Sequence, residues 1–493
     1  MKRWLSFLLM LCLLVSLCAC GGNAGGSDQD NGGNQGEQPG GDAHTHAFGA
    51  WTTVAESNCA VAGSQERVCD CGEKETQALA LTHHIASDWI IDKQPTPAQD
   101  GHRYQRCMFC GETLKEETIS KDTVDSQWLE YTVNSDGKSC TITGIGLCHD
   151  REVVIPAMID GYRVTDIRDC AFRDCSDLVS IVIPDSVTAI GERVFFNCDS
   201  LTSVVIPDSV TAIGEGVFYG CSSLESIEIP KGVTSIGDGA FSGCSGLTSI
   251  EISEGVTSIG YAAFADCSSL RSIEIPNSVT RIGEYAFSHC SSLQSINIPN
   301  SVTRIGEYAF YDCSSLYTIR IPDSVTSISK YAFSYCSSLQ SIEIPDSVTS
   351  IGDYAFDFCS TLQSIKIPDS VTRIDDYAFF SCSSLQSIEI PDSVTRIGYY
   401  ALSGCSSLQS IKIPDSVTRI GECAFSDCSS LQSIEIPDGV ISIDVAAFYG
   451  CSSLTSVHFG GTKAQWEAVS KGSGWNGSTG NYTIYCTDGE IAK

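Results

Sequence analysis

The 493-residue chain is poor in basic residues, with 29 lysines and arginines against 60 aspartates and glutamates. Its formal net charge at pH 7 is −31. A negative field of this size repels phosphate groups, which argues against nucleic acid as a partner. For the same reason we expect no direct electrostatic attachment to anionic lipid. The composition therefore excludes two classes of partner before any motif is considered.

Histidine is scarce in the regular part of the chain, and no catalytic motif is visible there. The 23-residue repeats described below contain only His289 and His458. Catalysis needs unlike groups that converge at one place, whereas near-identical repeats put the same residue type in each row. The sequence therefore predicts that the chain is not an enzyme, and we assign no catalytic residue.

Cysteine, in contrast, is abundant and regularly spaced. Thirteen cysteines recur at every twenty-third position, without insertion or deletion: Cys175, Cys198, Cys221, Cys244, Cys267, Cys290, Cys313, Cys336, Cys359, Cys382, Cys405, Cys428 and Cys451. Self-similarity at a fixed period of this length is typical of a solenoid. We expect these thiols to form a column of buried, unpaired side chains, with disulfides between neighbouring coils as the alternative.

Each repeat has the pattern of a short strand followed by a turn and a second extended piece. Ile388 and Ile390 alternate with polar residues, which predicts a strand whose isoleucines face inward. Pro391 ends that strand because it has no N–H for the ladder. A helical turn before the next cysteine would close the coil. One coil cannot bury its apolar face alone, so the pattern predicts a repeat solenoid, mostly β with short helical turns.

Two aromatic rows follow from the same period. The first is a phenylalanine row, interrupted only at Leu402, for which we expect a buried column: Phe195, Phe218, Phe241, Phe264, Phe287, Phe310, Phe333, Phe356, Phe379, Phe425 and Phe448. The second comprises Tyr285, Tyr308, Tyr331, Tyr354, Tyr377 and Tyr400. For the tyrosines we expect half-buried packing, with an exposed strip for protein or glycan contact as the alternative.

The repeat carries a family resemblance. Its unit Ile-Pro-Asp-Ser-Val-Thr-Arg-Ile-Gly-Glu-Tyr-Ala-Phe-Ser-x-Cys-Ser-Ser-Leu resembles the BspA-like (Treponema pallidum-type) leucine-rich repeat of bacterial and protist surface proteins. Residues 131–167 are similar to the opening coil of that family, and residues 460–466 and 486–489 to its closing segment. The resemblance implies a leucine-rich repeat solenoid with a role in cell-surface binding and adhesion. It supplies no catalytic residues.

The N-terminus has the features of an export signal. Residues 1–19 contain two basic residues followed by an apolar run too short to span a membrane comfortably, which predicts a signal peptide. The ending Leu17-Cys18-Ala19-Cys20 resembles a bacterial lipobox, which implies cleavage before Cys20 and a lipid on its sulfur. Ordinary secretion is the alternative. Residues 20–43 are almost devoid of apolar side chains and are predicted to form a lipidated, flexible linker.

Residues 44–120 contain a second, different repeat. Trp51 and Trp89, like Cys69 and Cys107, are separated by 38 residues, which indicates two small Cys/His modules. Modules this small need a cross-link, such as a bound metal or a disulfide, to fold stably. Structural zinc is one candidate, held by Cys59, Cys69, Cys71 and His84 in the first copy and by Cys107 and Cys110 in the second. Disulfides are the other candidate, and export favours them. No other cofactor is expected.

Both ends of the solenoid are predicted to be capped, since terminal coils expose their apolar faces. We assign residues 122–174 to an N-terminal cap and first coil, 175–454 to the leucine-rich repeat solenoid, and 455–493 to a C-terminal cap. At the N-terminal end we expect a Cys140–Cys148 disulfide. At the C-terminal end we expect Trp466, Trp475 and Tyr482 to cover the last coil.

The outward positions of the strands are the candidate binding surface. Along the chain an acidic group comes first and a region of alternating charge follows. The residues that we assign to the binding surface are Glu228, Glu251 and Glu274 in the acidic group, Gln294 beside it, and Glu343, Lys366, Glu389, Lys412 and Glu435 in the alternating region. Opposite charges on neighbouring strands could also form an ion ladder that serves only to fix register. The acidic group has no such mutual pairing, so we expect it to meet a basic partner.

These features lead to one preferred function and one alternative. The preferred function is adhesion or protein binding by a lipid-anchored cell-surface protein. Its partner would be an extracellular or host-surface protein or glycoprotein, and its only membrane contact would be the lipid. The alternative is a structural spacer or envelope component without a specific ligand. The ligand itself cannot be read from the repeats, because such surfaces are recognised through shape and summed charge.

Overall fold

The computed structural model describes residues 48, 50–55, 64–69, 72–78, 86–87, 90–93, 101–107, 112–119, 129–148 and 150–492. Two compact units are present, one drawn from residues 1–85 and 107–112 and the other from residues 86–106 and 113–493. The signal peptide, the linker and Cys20 lie outside the described residues. So do four of the residues assigned to zinc: Cys59, Cys71, His84 and Cys110.

Each of the two small repeats contains a three-stranded antiparallel sheet. The first sheet consists of β1 (Thr52–Ala55), β2 (Ser64–Val68) and β3 (Lys74–Ala78), and the second of β4 (Ile90–Lys93), β5 (Gly101–Arg106) and β6 (Thr113–Ile119). In both copies a buried cysteine, Cys69 or Cys107, directly follows the middle strand. The backbone N–H of each cysteine donates to a glutamate carbonyl four or five residues later, at 2.8 Å. Each cysteine therefore begins a tight turn.

The remainder of the chain is a β-solenoid of about 15 turns with almost no helix, which confirms the predicted fold class. It opens with β7 (Glu130–Val133), β8 (Ser139–Gly144), β9 (Glu152–Val154), β10 (Met158–Ile159) and β11 (Tyr162–Ile167). Strand β7 is antiparallel to β8, and β10 to β11, whereas β8 and β11 are parallel. The first strands of the regular coils pair with this opening segment: β12 pairs with β9, and β13 pairs with β11.

The regular coils contribute one strand each to a face of parallel strands, which pair in four successive sheets, and several coils contribute a second, shorter strand. The first set is β12 (Ser180–Val182), β14 (Ser203–Val205), β15 (Ser226–Glu228), β17 (Ser249–Glu251), β19 (Ser272–Glu274), β21 (Ser295–Asn297), β23 (Thr318–Arg320), β24 (Ser341–Glu343), β25 (Ser364–Lys366), β26 (Ser387–Glu389), β27 (Ser410–Lys412), β29 (Ser433–Ile436) and β31 (Ser456–Phe459). The second set is β13 (Ala189–Ile190), β16 (Ser235–Ile236), β18 (Ser258–Ile259), β20 (Arg281–Ile282), β22 (Arg304–Ile305), β28 (Arg419–Ile420), β30 (Ser442–Ile443) and β32 (Ser470–Lys471).

Strand register follows the sequence period directly. Each paired residue lies opposite the residue 23 positions later, as for Ile296 and Ile319. Because no coil contains an insertion, every side chain therefore stacks on its counterpart in the next coil. A sequence row is thus also a spatial row on the molecule.

The segment that closes each coil is not the helical turn that the sequence suggested. It consists of turns with two left-handed residues, one placed two positions before the phenylalanine and one directly before the cysteine. In one coil these are Tyr331, with φ 55°, and Tyr335, with φ 59°. A left-handed residue cannot continue a right-handed helix, so the chain turns twice within five residues.

The core is built from the predicted phenylalanine and cysteine columns. Successive phenylalanine rings stack with centroids 5.3–5.6 Å apart, and Phe172 extends the column by one coil. The cysteines from Cys198 to Cys451 are buried, free thiols. Each Sγ donates a hydrogen bond of 3.1–3.3 Å to the carbonyl 26 residues earlier, in most coils that of a phenylalanine. A thiol is therefore both a core side chain and a link between coils.

The buried thiols should be unreactive in the native protein. Burial raises the pKa of Cys198, Cys244 and Cys451 to about 12, which lowers the thiolate fraction at pH 8 by about a thousandfold relative to an ordinary thiol. Alkylation with iodoacetamide at pH 8, followed by peptide mapping, should modify the exposed Cys170 and leave the column unmodified. Unfolding in guanidinium should expose all of these thiols. Native labelling of the column at the rate of Cys170 would contradict this packing.

The two ends of the solenoid are closed differently, and one prediction about them is wrong. Cys140 is a buried free thiol 3.9 Å from the carbonyl of Tyr162, whereas the Cys148 sulfur lies 3.8 Å from Asp150 Oδ2. The two sulfurs face different neighbours, so these described residues do not form the expected Cys140–Cys148 disulfide. The N-terminal end is covered by the β7–β8 pair instead.

The C-terminal cap has the expected aromatic cover. It contains α1 (Lys463–Ala468), β33 (Thr483–Cys486) and β34 (Gly489–Ala492). Trp466 and Tyr482 are buried, and the Trp475 ring lies edge-on to Phe448 at 6.2 Å, which ends the phenylalanine column. Strand β33 adds in parallel to β31, and β34 turns back antiparallel to it. The prediction that these aromatic residues cover the last coil is confirmed.

Candidate functional site

The outward strand row consists of the third residue of each parallel strand, whose side chain points away from the core. It consists of Val182, Val205, Glu228, Glu251, Glu274, Asn297, Arg320, Glu343, Lys366, Glu389, Lys412, Glu435, His458 and Tyr485. From Glu228 onwards every member is exposed. The residues on either side of each member are apolar, most of them isoleucines, and most are buried in the core. The alternation of inward and outward residues along each strand therefore produces a continuous polar surface.

The structure brings together eight of the nine residues assigned to this surface from the sequence. The exception is Gln294, which is exposed but lies three residues before Asn297, ahead of strand β21. Asn297 and Arg320 occupy the positions between the two predicted groups and were missed. The 23-residue count alone places both in the row, so the sequence contained the information needed to find them.

The first part of the outward strand row is acidic. Glu228 lies directly opposite Glu251 on the neighbouring strand, and Glu274 opposite Asn297. Like charges in directly opposed positions repel each other. The first cation of the row is Arg320, two coils beyond Glu274. This acidic patch therefore presents three exposed carboxylates on neighbouring coils, which favours a cationic partner.

The second part of the row alternates in charge but does not form the expected ion ladder. Lys366 lies in register between Glu343 and Glu389, and Lys412 is in register with Glu435. Nevertheless, among the described residues none of these five side chains takes part in an ion pair within 4.0 Å. Register is set by the buried columns, and the charged ends of these side chains remain available to a partner.

A shallow groove lies at the C-terminal end of the row, where the cap meets the last coils. It has a volume of about 480 Å³ and is lined by side chains that include Lys412, Glu435, His458 and Tyr485. The His458 and Tyr485 rings stack at 5.0 Å with an interplanar angle of 14°. The groove therefore offers an aromatic wall with charges of both signs beside it.

The zinc prediction concerns the small modules, where the structure describes only two of the assigned ligands. Cys69 and Cys107 are both buried. Within the described ranges, no group of three or more histidine, cysteine or acidic side chains could hold a metal ion. Since the other four assigned ligands lie outside those ranges, zinc binding stays a prediction. In the same ranges, no helix has the length and hydrophobicity required to cross a membrane.

Comparison with known proteins agrees with this architecture. The profile of the family described as "BspA type Leucine rich repeat region" matches residues 157–271, 257–386 and 349–468, with six copies. A leucine-rich repeat protein from Bacteroides ovatus is 31% identical with a TM-score of 0.61, over 72% of this chain and 98% of that one.

Two further solved structures are similar in sequence. A leucine-rich cell surface protein from Faecalibacterium prausnitzii is 32% identical over 70% of this chain and 96% of that one, with a TM-score of 0.43. A leucine-rich repeat protein from T. pallidum is 28% identical over 48% of this chain and 88% of that one, with a TM-score of 0.26. No protein among the curated sequences matches the chain. The family profile spans more than half of the chain, and the chain therefore belongs to the BspA-type leucine-rich repeat family.

Proposed function

We propose that the chain is a surface-anchored adhesion protein whose outward strand row binds a macromolecule on a host or neighbouring cell. The observation that carries this proposal is the row of exposed, mostly charged side chains, of which those in the alternating part form no ion pairs within the described part of the chain. Proteins of this repeat family are generally binding scaffolds, not enzymes, which supports a binding role.

The chemistry of the row favours a protein or glycoprotein as the partner. The acidic patch attracts a basic segment, and the alternating part presents both signs at the spacing of adjacent strands, about 4.8 Å. The groove beside His458 and Tyr485 can take one side chain of that partner. Complementary charges of this kind increase the rate of association and select among partners.

Attachment to the bacterial surface is part of the proposal. It rests on the lipobox-like sequence that ends at Cys20 and on the polar linker that follows it. A lipid on Cys20 would hold the chain at the membrane without a spanning helix. Metabolic labelling with a radioactive fatty acid should label the wild-type chain and not the Cys20→Ala variant.

Neutralisation of the acidic patch should weaken binding. We expect the variant Glu228→Gln, Glu251→Gln, Glu274→Gln to bind its partner about tenfold more weakly, since each exposed charge pair contributes about 0.5 kcal/mol. Because that variant has lost three charges, its affinity for the partner should also depend less on salt concentration. The measurement is binding of the purified protein to an array of extracellular matrix proteins, mucins and bacterial envelope fractions over a salt series.

The matched control removes the same amount of charge elsewhere. Asp208, Asp323 and Asp346 are exposed residues that follow the strand proline, and other coils have Asn277 and Asn300 at this position. Replacing the three aspartates by asparagine should change the affinity less than twofold. Equal losses in both variants would mean that only net charge matters. Absence of any saturable binding by the wild-type protein would favour the spacer function.

A further inference from the structure

An exposed aromatic cluster lies on the closing segments of four consecutive coils, and the strand-face function makes no use of it. The aromatic cluster consists of Tyr311, Tyr335, Phe358 and Phe380. Tyr335 stacks on Phe358 at 4.6 Å, and Tyr311 and Phe380 contact that pair edge-on at 5.6 and 5.5 Å. Tyr335 and Phe358 are 39% and 36% exposed, so two stacked rings face solvent together.

The aromatic cluster is supported by the stacked tyrosine row. Rings of that row stack at 4.4–4.7 Å and are half-buried, as the packing prediction required. Tyr308 contacts Tyr311 at 5.7 Å, and Tyr377 contacts Phe380 at 5.6 Å. The exposed rings are therefore held in fixed positions and do not move freely in solvent.

A buried carboxylate with an unsatisfied oxygen lies among these rings. Asp357 directly follows Phe356, which is the position that Tyr311 and Phe380 occupy in their own coils, and it is only 4% exposed. Among the described residues, its Oδ1 and the Oγ of the neighbouring coil's Ser334 have no hydrogen-bond partner. The backbone N–H of Tyr335 donates to the Asp357 carbonyl at 2.9 Å, which places this residue next to the cluster.

The Asp357 carboxylate and the Tyr311 ring, which share one position of the repeat, also affect each other electrostatically. Burial raises the pKa of Asp357 to about 6, so the group is still mainly ionised at neutral pH. The pKa of Tyr311 is raised first by burial and then by neighbouring groups that include Asp357. A buried negative charge without a full set of partners is costly unless a cation approaches it. The cluster therefore combines aromatic faces with a buried negative charge, one oxygen of which has no hydrogen-bond partner among the described residues.

The chain's own cations show how this type of surface binds. Lys330 Nζ lies 5.3 Å from the centre of the Tyr331 ring and 3.7 Å from an oxygen of Asp353. In the same manner, Arg396 lies over the Tyr399 ring at 5.7 Å and pairs with Asp376 at 3.2 Å. Each cation lies over an aromatic ring beside a carboxylate, and Lys330 is also 6.0 Å from the Tyr354 ring, so aromatic and acidic groups together hold a cation on this chain.

We propose that the aromatic cluster binds a lysine or arginine side chain of a partner protein, with Asp357 as the counter-charge. The rings provide cation–π contacts, and the negative charge of the carboxylate favours a cationic side chain over a neutral one. The large negative charge of the chain attracts a basic segment in the first place. This second contact does not depend on the outward strand row.

The test uses a fluorescent peptide that contains lysine and arginine in a serine-glycine background, with anisotropy as the readout. The variant Tyr335→Ser, Phe358→Ser should bind the peptide about tenfold more weakly. Both substitutions leave the net charge unchanged, so bulk electrostatics cannot explain a loss. Serine is compatible with the backbone, since Ser381 occupies the same left-handed position in the next coil, with φ 56°.

Two controls separate the cluster from other surfaces. Tyr219→Ser, Tyr449→Ser removes two tyrosines that are 40% and 46% exposed but lie outside the aromatic cluster, and it should change the affinity less than twofold. The acidic-patch variant Glu228→Gln, Glu251→Gln, Glu274→Gln measures how much of the peptide is held by the outward strand row, and the loss caused by Tyr335→Ser, Phe358→Ser should persist in its background. A loss only in that variant would support the strand-face function and overturn the aromatic proposal.

A second variant tests the carboxylate. Asp357→Ser should weaken peptide binding about fivefold or more, whereas a purely structural role would leave the affinity unchanged. A peptide with citrulline and acetyl-lysine in place of the cations should not bind to the wild-type protein at the cluster. Equal affinity for the neutral peptide, or full displacement of the basic peptide by a neutral oligosaccharide, would overturn the proposal.

Discussion

Replacement of Phe333 by alanine is expected to destabilise the solenoid by about 3–5 kcal/mol. The ring is fully buried and stacks at 5.5 Å on both Phe310 and Phe356. Removing it leaves a cavity between two coils that cannot move closer, because parallel strands on both sides fix their spacing. The free energy of unfolding, measured by guanidinium denaturation followed by circular dichroism, should fall accordingly.

The matched control for this substitution is already present in the chain. Leu402 is fully buried at the phenylalanine position of another coil, so Phe333→Leu should cost only about 1 kcal/mol. Because each coil contacts mainly its neighbours, hydrogen exchange should increase around Phe333 and much less at distant coils. An alanine variant as stable as the leucine variant would mean that the column is not the main source of stability.

Replacement of Asp357 by serine is expected to stabilise the chain by about 2 kcal/mol at pH 7.5 and to have little effect at pH 4. Burial raises the pKa of this carboxyl to about 6 in the folded chain, above its value when unfolded. Below the unfolded pKa the group is neutral in both states and carries no penalty. As pH rises through 6, the folded chain must hold a buried charge, and stability is lost.

The surroundings of Asp357 allow this effect to be assigned to one group. The titratable side chains whose pKa its charge helps to raise are Tyr311, Tyr331, Cys336, Cys359 and Cys382, all of which stay neutral between pH 4 and 7.5. Thermal denaturation at pH 4, 6 and 7.5 should show the difference between variant and wild type increasing with pH. The control is Asp392→Ser, which replaces an exposed aspartate and should not change stability in a pH-dependent way. If the stability difference between Asp357→Ser and wild type were the same at every pH, the effect could not be assigned to the Asp357 carboxyl.

Most of the fold could be predicted from the unbroken spacing of the cysteines, since a constant period leaves no other register. The closing turns could not be inferred from periodicity, because Tyr331 and Ala332 suit a helix by pattern alone. A usable signal existed directly before the cysteines, where Gly220, Gly404 and Asp427 are residue types that favour left-handed backbone.

The candidate sites were predictable to different degrees. Glu343 and Lys366 lie at one position of the repeat and were assigned without structure. The pairing of His458 with Tyr485 could not be predicted from the sequence, because strand β33 pairs with β31 at a separation of 27 residues and so departs from the 23-residue period. The aromatic cluster was also hidden, since Tyr311 and Tyr335 occupy different positions of the repeat and meet only through the turn.

The constant register has a consequence for how such a chain can evolve. Removal of residues 314–336 would join Cys313 to Ser337 and reproduce the junction that Cys336 now makes with Ser337. Recombination between near-identical gene segments can therefore change the copy number of coils while each remaining contact keeps its geometry. The order of charges along the exposed face can then be rearranged between strains, with selection acting on recognition and the hydrophobic interior unchanged.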